Sequence, residues 1–130
     1  MWGADEAIAR VEDDVRRAQQ RAELYPALQA SIDAVRGSAV SIRRDLSVEV
    51  DAGGVLRDLR IADAALDRGG ERVASEILEL VAKATRTARA KTLEATTEIM
   101  GADDPIVTTI AQQLDARNAA DDAPAGGPRP

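Results

Sequence analysis

Residues 3 to 35 carry apolar side chains at helical spacing. Ile8, Val11, Val15, Ala18, Ala22 and Tyr25 alternate steps of three and four, a heptad-like seam, and Leu28, Ile32 and Val35 continue it after a shift of one. The pattern predicts one long helix, with Asp5 and Glu6 in its first turn, where the helix dipole favours anions. Pro26 disturbs it, because its ring removes a bond to Ala22 and crowds that carbonyl. A kink near residues 22 to 26, or a break with Pro26 opening a second helix, is expected. Arg36-Gly37 should end the helix, with Gly37 just past the last turn, where a positive φ is useful.

The period then changes from helical to two. In SAVSI, Val40 and Ile42 share a face. In LSVEVD, Leu46, Val48 and Val50 point one way while Ser47, Glu49 and Asp51 point the other, the signature of a strand with one dry and one wet side. Arg43-Arg44-Asp45 is then a turn between strands, and Ala52-Gly53-Gly54 a second turn with hairpin glycines. In VLRDLRI, Leu59 and Ile61 share a side, and Arg57 has their parity without their chemistry. A bulge near Gly54-Val55-Leu56, or a place for Arg57 at the rim, resolves the conflict.

After a connection over 63 to 69, Gly70 to Met100 reads as a second long helix. Val73, Ile77, Val81, Ala84, Ala88, Ala95 and Ile99 trace its stripe, with Leu78, Leu80 and Leu93 widening the ends. The middle of the stripe is alanine and threonine, which admit close approach and bury little area. Gly101 closes it. Asp104-Pro105 is an N-cap followed by proline at the first helical position. Ile106, Val107, Ile110 and Leu114 then give a short amphipathic helix to about residue 118. From 119 to 130 the composition is that of a disordered tail.

Composition narrows the function. The 130 residues hold no Phe, one Trp and one Tyr, so the core is thin for a monomer and a second chain is expected to bury more surface. There is no Cys and no His, which removes thiolate metal sites, disulfides, the commonest general base and the commonest metal ligand. No apolar run approaches the roughly 18 residues of a membrane helix, and the acidic start, Met-Trp-Gly-Ala-Asp-Glu, does not resemble a signal peptide. A soluble, cytoplasmic protein without a cofactor or metal is expected. Catalysis is not. The carboxylate pairs Asp13-Asp14, Asp103-Asp104 and Asp121-Asp122 have no base or nucleophile beside them, and Gly53-Gly54 and Gly69-Gly70 lack the phosphate-loop pattern.

The order of elements and the segment VRGSAVSIRRDLSVEVDAGGVLRDLRIADAAL, followed by ERVASEILELVAKATRTA, resemble the YbaB/EbfC family of nucleoid-associated proteins, and look most like its actinobacterial members. The matching features are Val35-x-Gly37, Leu46-x-Val48-x-Val50, Gly54-x-Leu56 and Leu59-x-Ile61, over roughly residues 5 to 101. The resemblance implies a tweezer-like homodimer whose strands form the body, whose long helices form the arms, and which binds DNA through those arms. Two features depart from the family pattern: the helix at 105 to 118, and Arg43 and Arg44 where the family usually carries glycine. A relative of the family also occurs among accessory proteins of mycobacterial type VII secretion loci, so a protein-interaction module of the same fold without DNA binding is the alternative.

Net charge is −6, which opposes a general polyanion coat. Within it stands KATRTARAK, residues 83 to 91, with four cations and no anion. At about 100° per residue, Lys83 and Arg86 are neighbours, Arg89 follows about 60° further round, and Lys91 lies elsewhere. The competing role is a solvated helix face between Glu76, Glu79, Glu94 and Glu98. Arg16, Arg17 and Arg21 make a second cluster, for which pairing with Glu12, Asp13 and Asp14 is the ordinary role. If the two long helices run together, both clusters can share a surface. Arg43 and Arg44 either touch phosphate or guard a sheet edge. Two rings, Trp2 and Tyr25, are too few for stacking on single strands.

The sequence therefore predicts an α+β protein: long helix, three-stranded antiparallel sheet, long helix, short C-terminal helix, assembled as a tweezer-like dimer. Its domains are a family-like unit over 1–101, an additional helix over 102–118, and a tail over 119–130. The expected partner is double-stranded DNA, held at Arg16, Arg17, Arg21, Lys83, Arg86, Arg89 and Lys91, with nucleoid localisation. Ile106, Val107, Ile110 and Leu114 either dock on a protein partner or fold back on the chain's own arms.

Overall fold

The computed structural model describes residues 3–122; Trp2 and the tail beyond 122 lie outside the described residues. In chain order the elements are α1 (Ala4–Asp33), β1 (Arg36–Val40), β2 (Leu46–Asp51), β3 (Leu56–Ile61), the single turn α2 (Asp63–Leu66), α3 (Gly70–Met100) and α4 (Pro105–Asp122). The strands form one antiparallel sheet in the order β1-β2-β3.

α3 lies across one face of this sheet. Leu46, Val48 and Val50 of β2 are buried beneath it, alternating with half-buried Ser47, Glu49 and Asp51 as their period of two requires. Val73, Leu80, Ala84 and Ala88 of α3, with Val35, Ala39 and Ala65, complete the core. Burial of each β2 side chain is worth about 1.5–3 kcal/mol, so β2 is the thermodynamic centre of the sheet.

The predicted role of Gly37 is corrected. α1 ends at Asp33 with Ala34 as its C-cap, and Gly37 is a buried strand residue outside the positive-φ set. A Cβ on Gly37 would lie 2.0 Å from the carbonyl oxygen of Ala84 and 2.7 Å from the amide nitrogen of Ala88. Glycine is therefore needed for close approach of strand to helix, and the two alanines of α3 supply the other half of that contact. The inward side of β1 is accordingly Gly37 and Ala39, while Val40 is exposed and Ile42 lies beyond the strand. β1 stops at Val40 because Ser41 organises the turn: its Oγ accepts from the amides of Asp45 and Leu46 and donates to the Asp45 carboxylate.

The expected bulge is present. Glu49 pairs with Asp58 but Val50 pairs with Leu56, which leaves Arg57 as the extra residue. Its guanidinium reaches Asp51 at 2.9 Å, so the parity conflict ends in an ion pair at the rim. Leu56, Leu59 and Ile61 keep the polarity of the core face, yet α3 does not reach them, and each stays about 40% exposed.

α1 passes through Pro26 as one helix, without the break offered as an alternative. Its C-terminal half packs on α3, with Leu28 buried. Its N-terminal half, residues 4–20, is exposed all round, including Ile8, Val11 and Val15 of the seam. Arg21 is the last tie: it grips Asp104 with two hydrogen bonds of 2.8 and 2.9 Å. Asp104 also caps α4 by accepting from the Ile106 amide, as its place before Pro105 predicted.

α4 turns back along α3, beginning just after the glycine C-cap Gly101. Leu114 is buried and Ile106, Val107 and Ile110 are half-buried. Of the two uses expected for that apolar face, folding back on the chain's own arm is the one realised. The helix also outruns its predicted end at 118 and continues to Asp122.

Candidate nucleic-acid interface

α3 carries the cation run on a surface built from small residues. Ala84 and Ala88 face the sheet and are fully buried. Thr85, Thr87 and Thr92 return their hydroxyls to the carbonyls of Val81, Lys83 and Ala88, four residues back, so none of these hydroxyls needs an outside partner. The long side chains left to project are Lys83, Arg86, Arg89 and Lys91.

Each of the sequence-predicted cations has a definite placement. Lys83 is exposed and has no ion-pair partner among the described residues. Arg86 is ion-paired with Asp122. Arg89 donates to the Asn118 side chain at 2.9 Å and to Asp121, and only 15% of its side chain is exposed. Lys91 points the other way and donates to the carbonyl oxygen of Arg36 at 2.9 Å. The run expected to be unneutralised is therefore half neutralised, by two acids from the segment expected to be a tail. Nothing in the local sequence of 83–91 reveals this. The signal lies in spacing: Arg86 and Asp122 stand 18 residues to either side of Asp104, the corner of the α3–α4 hairpin.

The cluster on α1 divides as well. Arg16 pairs with Asp13 at 3.1 Å and Arg17 with the same residue at 4.0 Å, both on the open helix surface. Arg21 leaves its own helix for Asp104, whose carboxyl is held below the usual range first by that hydrogen bond and then by the Ile106 amide. Arg21 sits at the far end of α3 from the cation run, about 15 Å along the axis at 1.5 Å per residue. Within one chain the two clusters are not brought into a single patch.

A second group of cations lies where the β1–β2 turn meets α3. Arg68 donates to Asp45 at 2.6 and 3.0 Å and to Glu76 at 2.8 Å. The Arg68 guanidinium, helped by the Ser41 hydroxyl, holds the Asp45 carboxyl down at about 2. This staple fixes the turn beside α3, and Arg43, Arg72 and Lys83 then line an open groove of about 500 Å³ together with Glu76 and Glu79. Sequence reading placed Arg43 at an exposed turn but missed Arg72, whose neighbours are brought in only by the turn. No group of acidic side chains suited to a metal occurs among the described residues, nor is any of their helices long and apolar enough to cross a membrane.

A three-stranded sheet backed by a long helix, with a second long helix projecting from it and cations on the helix surfaces, defines a small α+β module. The chain belongs to the YbaB/EbfC DNA-binding family, whose model matches residues 8–103. That span covers most of α1, the sheet and all of α3, and stops just short of α4. Comparison with curated proteins and with solved structures gives no match.

Proposed function

We propose that the chain acts as a homodimer that binds double-stranded DNA in the nucleoid, through phosphate-backbone contacts with little base specificity. The observation that carries this reading is the family match, which spans every cation singled out on the two long helices: Arg16, Arg17, Arg21, Lys83, Arg86, Arg89 and Lys91. The helix surfaces offer guanidinium and ammonium groups and no aromatic platform, since Tyr25 is the single ring among the described residues. That chemistry suits phosphates better than bases.

Two features support the dimer. Leu56, Leu59 and Ile61 present apolar side chains on the core side of β3 without cover. Ile8, Val11 and Val15 continue a helical seam past the end of its intramolecular partner. A second copy would cover such surfaces and double the cations on one particle, which matters for a chain of net charge −6.

Fluorescence anisotropy with a labelled duplex at two salt concentrations tests the reading. Binding should weaken on the order of a hundredfold between about 50 and 200 mM salt. Arg86→Glu with Arg89→Glu should abolish it while light scattering reports an unchanged mass. No binding at the lower salt would overturn the reading in favour of a protein-interaction or secretion-accessory module, an outcome that the pairing of Arg86 and Arg89 with the chain's own acids already makes physically reasonable.

A further inference from the structure

The contacts between α3 and the end of α4 are polar. Beyond Leu114 the last two turns of α4 bury no apolar side chain: Asp115, Ala116, Arg117, Ala119, Ala120, Asp121 and Asp122 are exposed and only Asn118 is half-buried. What holds these turns is polar. Asn118 and Asp121 converge on Arg89, and Asp122 meets Arg86. The carboxylates thus neutralise both guanidiniums and engage one nitrogen of each, in competition with a phosphate.

We infer that α4 is an internal competitor for DNA: its terminal acids, Asp121 and Asp122, clasp Arg86 and Arg89 and must leave before those arginines can take a phosphate. The inference rests on the DNA-binding reading of the same arginines. It is favoured by the anatomy of α4, which has an apolar anchor near its start (Ile106, Val107, Ile110, Leu114) and a purely polar hold at its end. An end held in this way can fray while the anchor stays docked. The Arg86–Asp122 pair is half-exposed on both sides and the Arg89–Asp121 pair is open on its aspartate side; pairs open to water are individually weak, so the clasp is reversible and yields to a polyanion presenting many phosphates at once. The match to the family stops at residue 103, so the clasping acids lie outside the family-matched unit while the arginines they hold lie inside it.

The clasp changes the salt dependence of binding in a definite direction. A free arginine releases about one counterion when it meets a phosphate. A clasped arginine is already neutralised, and the expelled aspartate must then gather a cation from solution. DNA binding by the native chain is therefore both weaker and less steeply dependent on salt than binding by a chain without the clasp.

The test uses the full-length protein and a labelled duplex across a salt series. Asp121→Asn with Asp122→Asn keeps side-chain size at exposed positions. It should bind on the order of tenfold more tightly, with a log–log salt slope steeper by about two per protomer. Asp67→Asn with Glu71→Gln makes the same change in net charge at and just before the start of α3, about 20 Å or more from the arginines; at about 0.1 M salt and above it should stay within about twofold of the native chain, being about two Debye lengths away. Adding Arg86→Glu and Arg89→Glu to the Asn pair should remove the gain. If the Asn pair binds no better than the control pair while the arginine reversals still abolish binding, the clasp is overturned and the DNA-binding reading stands. If none of the proteins binds at low salt, the DNA-binding reading falls and takes the gate with it. Hydrogen exchange gives an independent sign: DNA should make residues 115–122 of the native chain exchange faster, and slower exchange there would overturn the clasp.

Discussion

At Gly37 the backbone of β1 comes so near α3 that a single methyl group has nowhere to go. The nearest atoms are backbone atoms of Ala84 and Ala88, which cannot rotate away. Gly37→Ala should therefore part helix from sheet and cost about 3 kcal/mol or more, read as a lower urea midpoint. Asp45 makes a second prediction. Its carboxyl titrates at about 2 in the folded protein, against an ordinary value of 3.8, because Arg68 binds the charged form. Its contribution to stability is thus fully present above about pH 4 and is lost as pH falls towards 2. Asp51 and Asp104, also lowered by their hydrogen bonds, act in the same direction. Acid unfolding should steepen in that window, and Asp45→Asn should both lower stability at neutral pH and flatten the acid limb. A stability profile that is flat from pH 5 to 2 would refute the assignment. None of this was readable at the residue level beforehand: Gly37 invites a helix-end interpretation from its neighbours in sequence, and the partner of Asp45 lies 23 residues away.

Among the elements, α4 owes its position to Leu114. Leu114→Ala should weaken docking on α3 by about 2–3 kcal/mol, seen as faster hydrogen exchange throughout α4 with little change in β2. The periods of the sequence specified the long helices and β2 almost to the residue, because each has one dry side and a long run over which to show it. β1 was harder. Its inward residues, Gly37 and Ala39, are the small ones, while apolar Val40 and Ile42 face outward, so hydrophobicity pointed to the wrong side. α4 was foreseen but ended early, since Ala119, Ala120, Asp121 and Asp122 have the composition of a tail and are helical because α3 supplies partners. In the candidate site, the cations were legible as a cluster on α3. Their acids were not, since they come from a different helix folded back by a glycine and a proline.

For the whole molecule, the uncovered surface predicts assembly. Leu59→Glu with Ile61→Glu places two charges on the apolar side of β3 and should convert the proposed dimer to monomer by light scattering, leaving the fold of β2 and α3 intact. Loss of DNA affinity should accompany it, because each particle then carries half the cations. Retention of the dimer mass would exclude β3 as the contact.

The lone N-terminal half of α1 carries one more consequence. Residues 4–20 form about 25 Å of helix that is exposed on every side among the described residues. A segment of that length is only marginally helical in water. Its order should therefore report on association. On dilution, far-ultraviolet ellipticity should fall and trypsin should begin to cut at Arg10, Arg16 and Arg17 before it cuts anywhere in α3. Cleavage at these three sites then serves as a concentration gauge for whatever copy or partner lies along Ile8, Val11 and Val15.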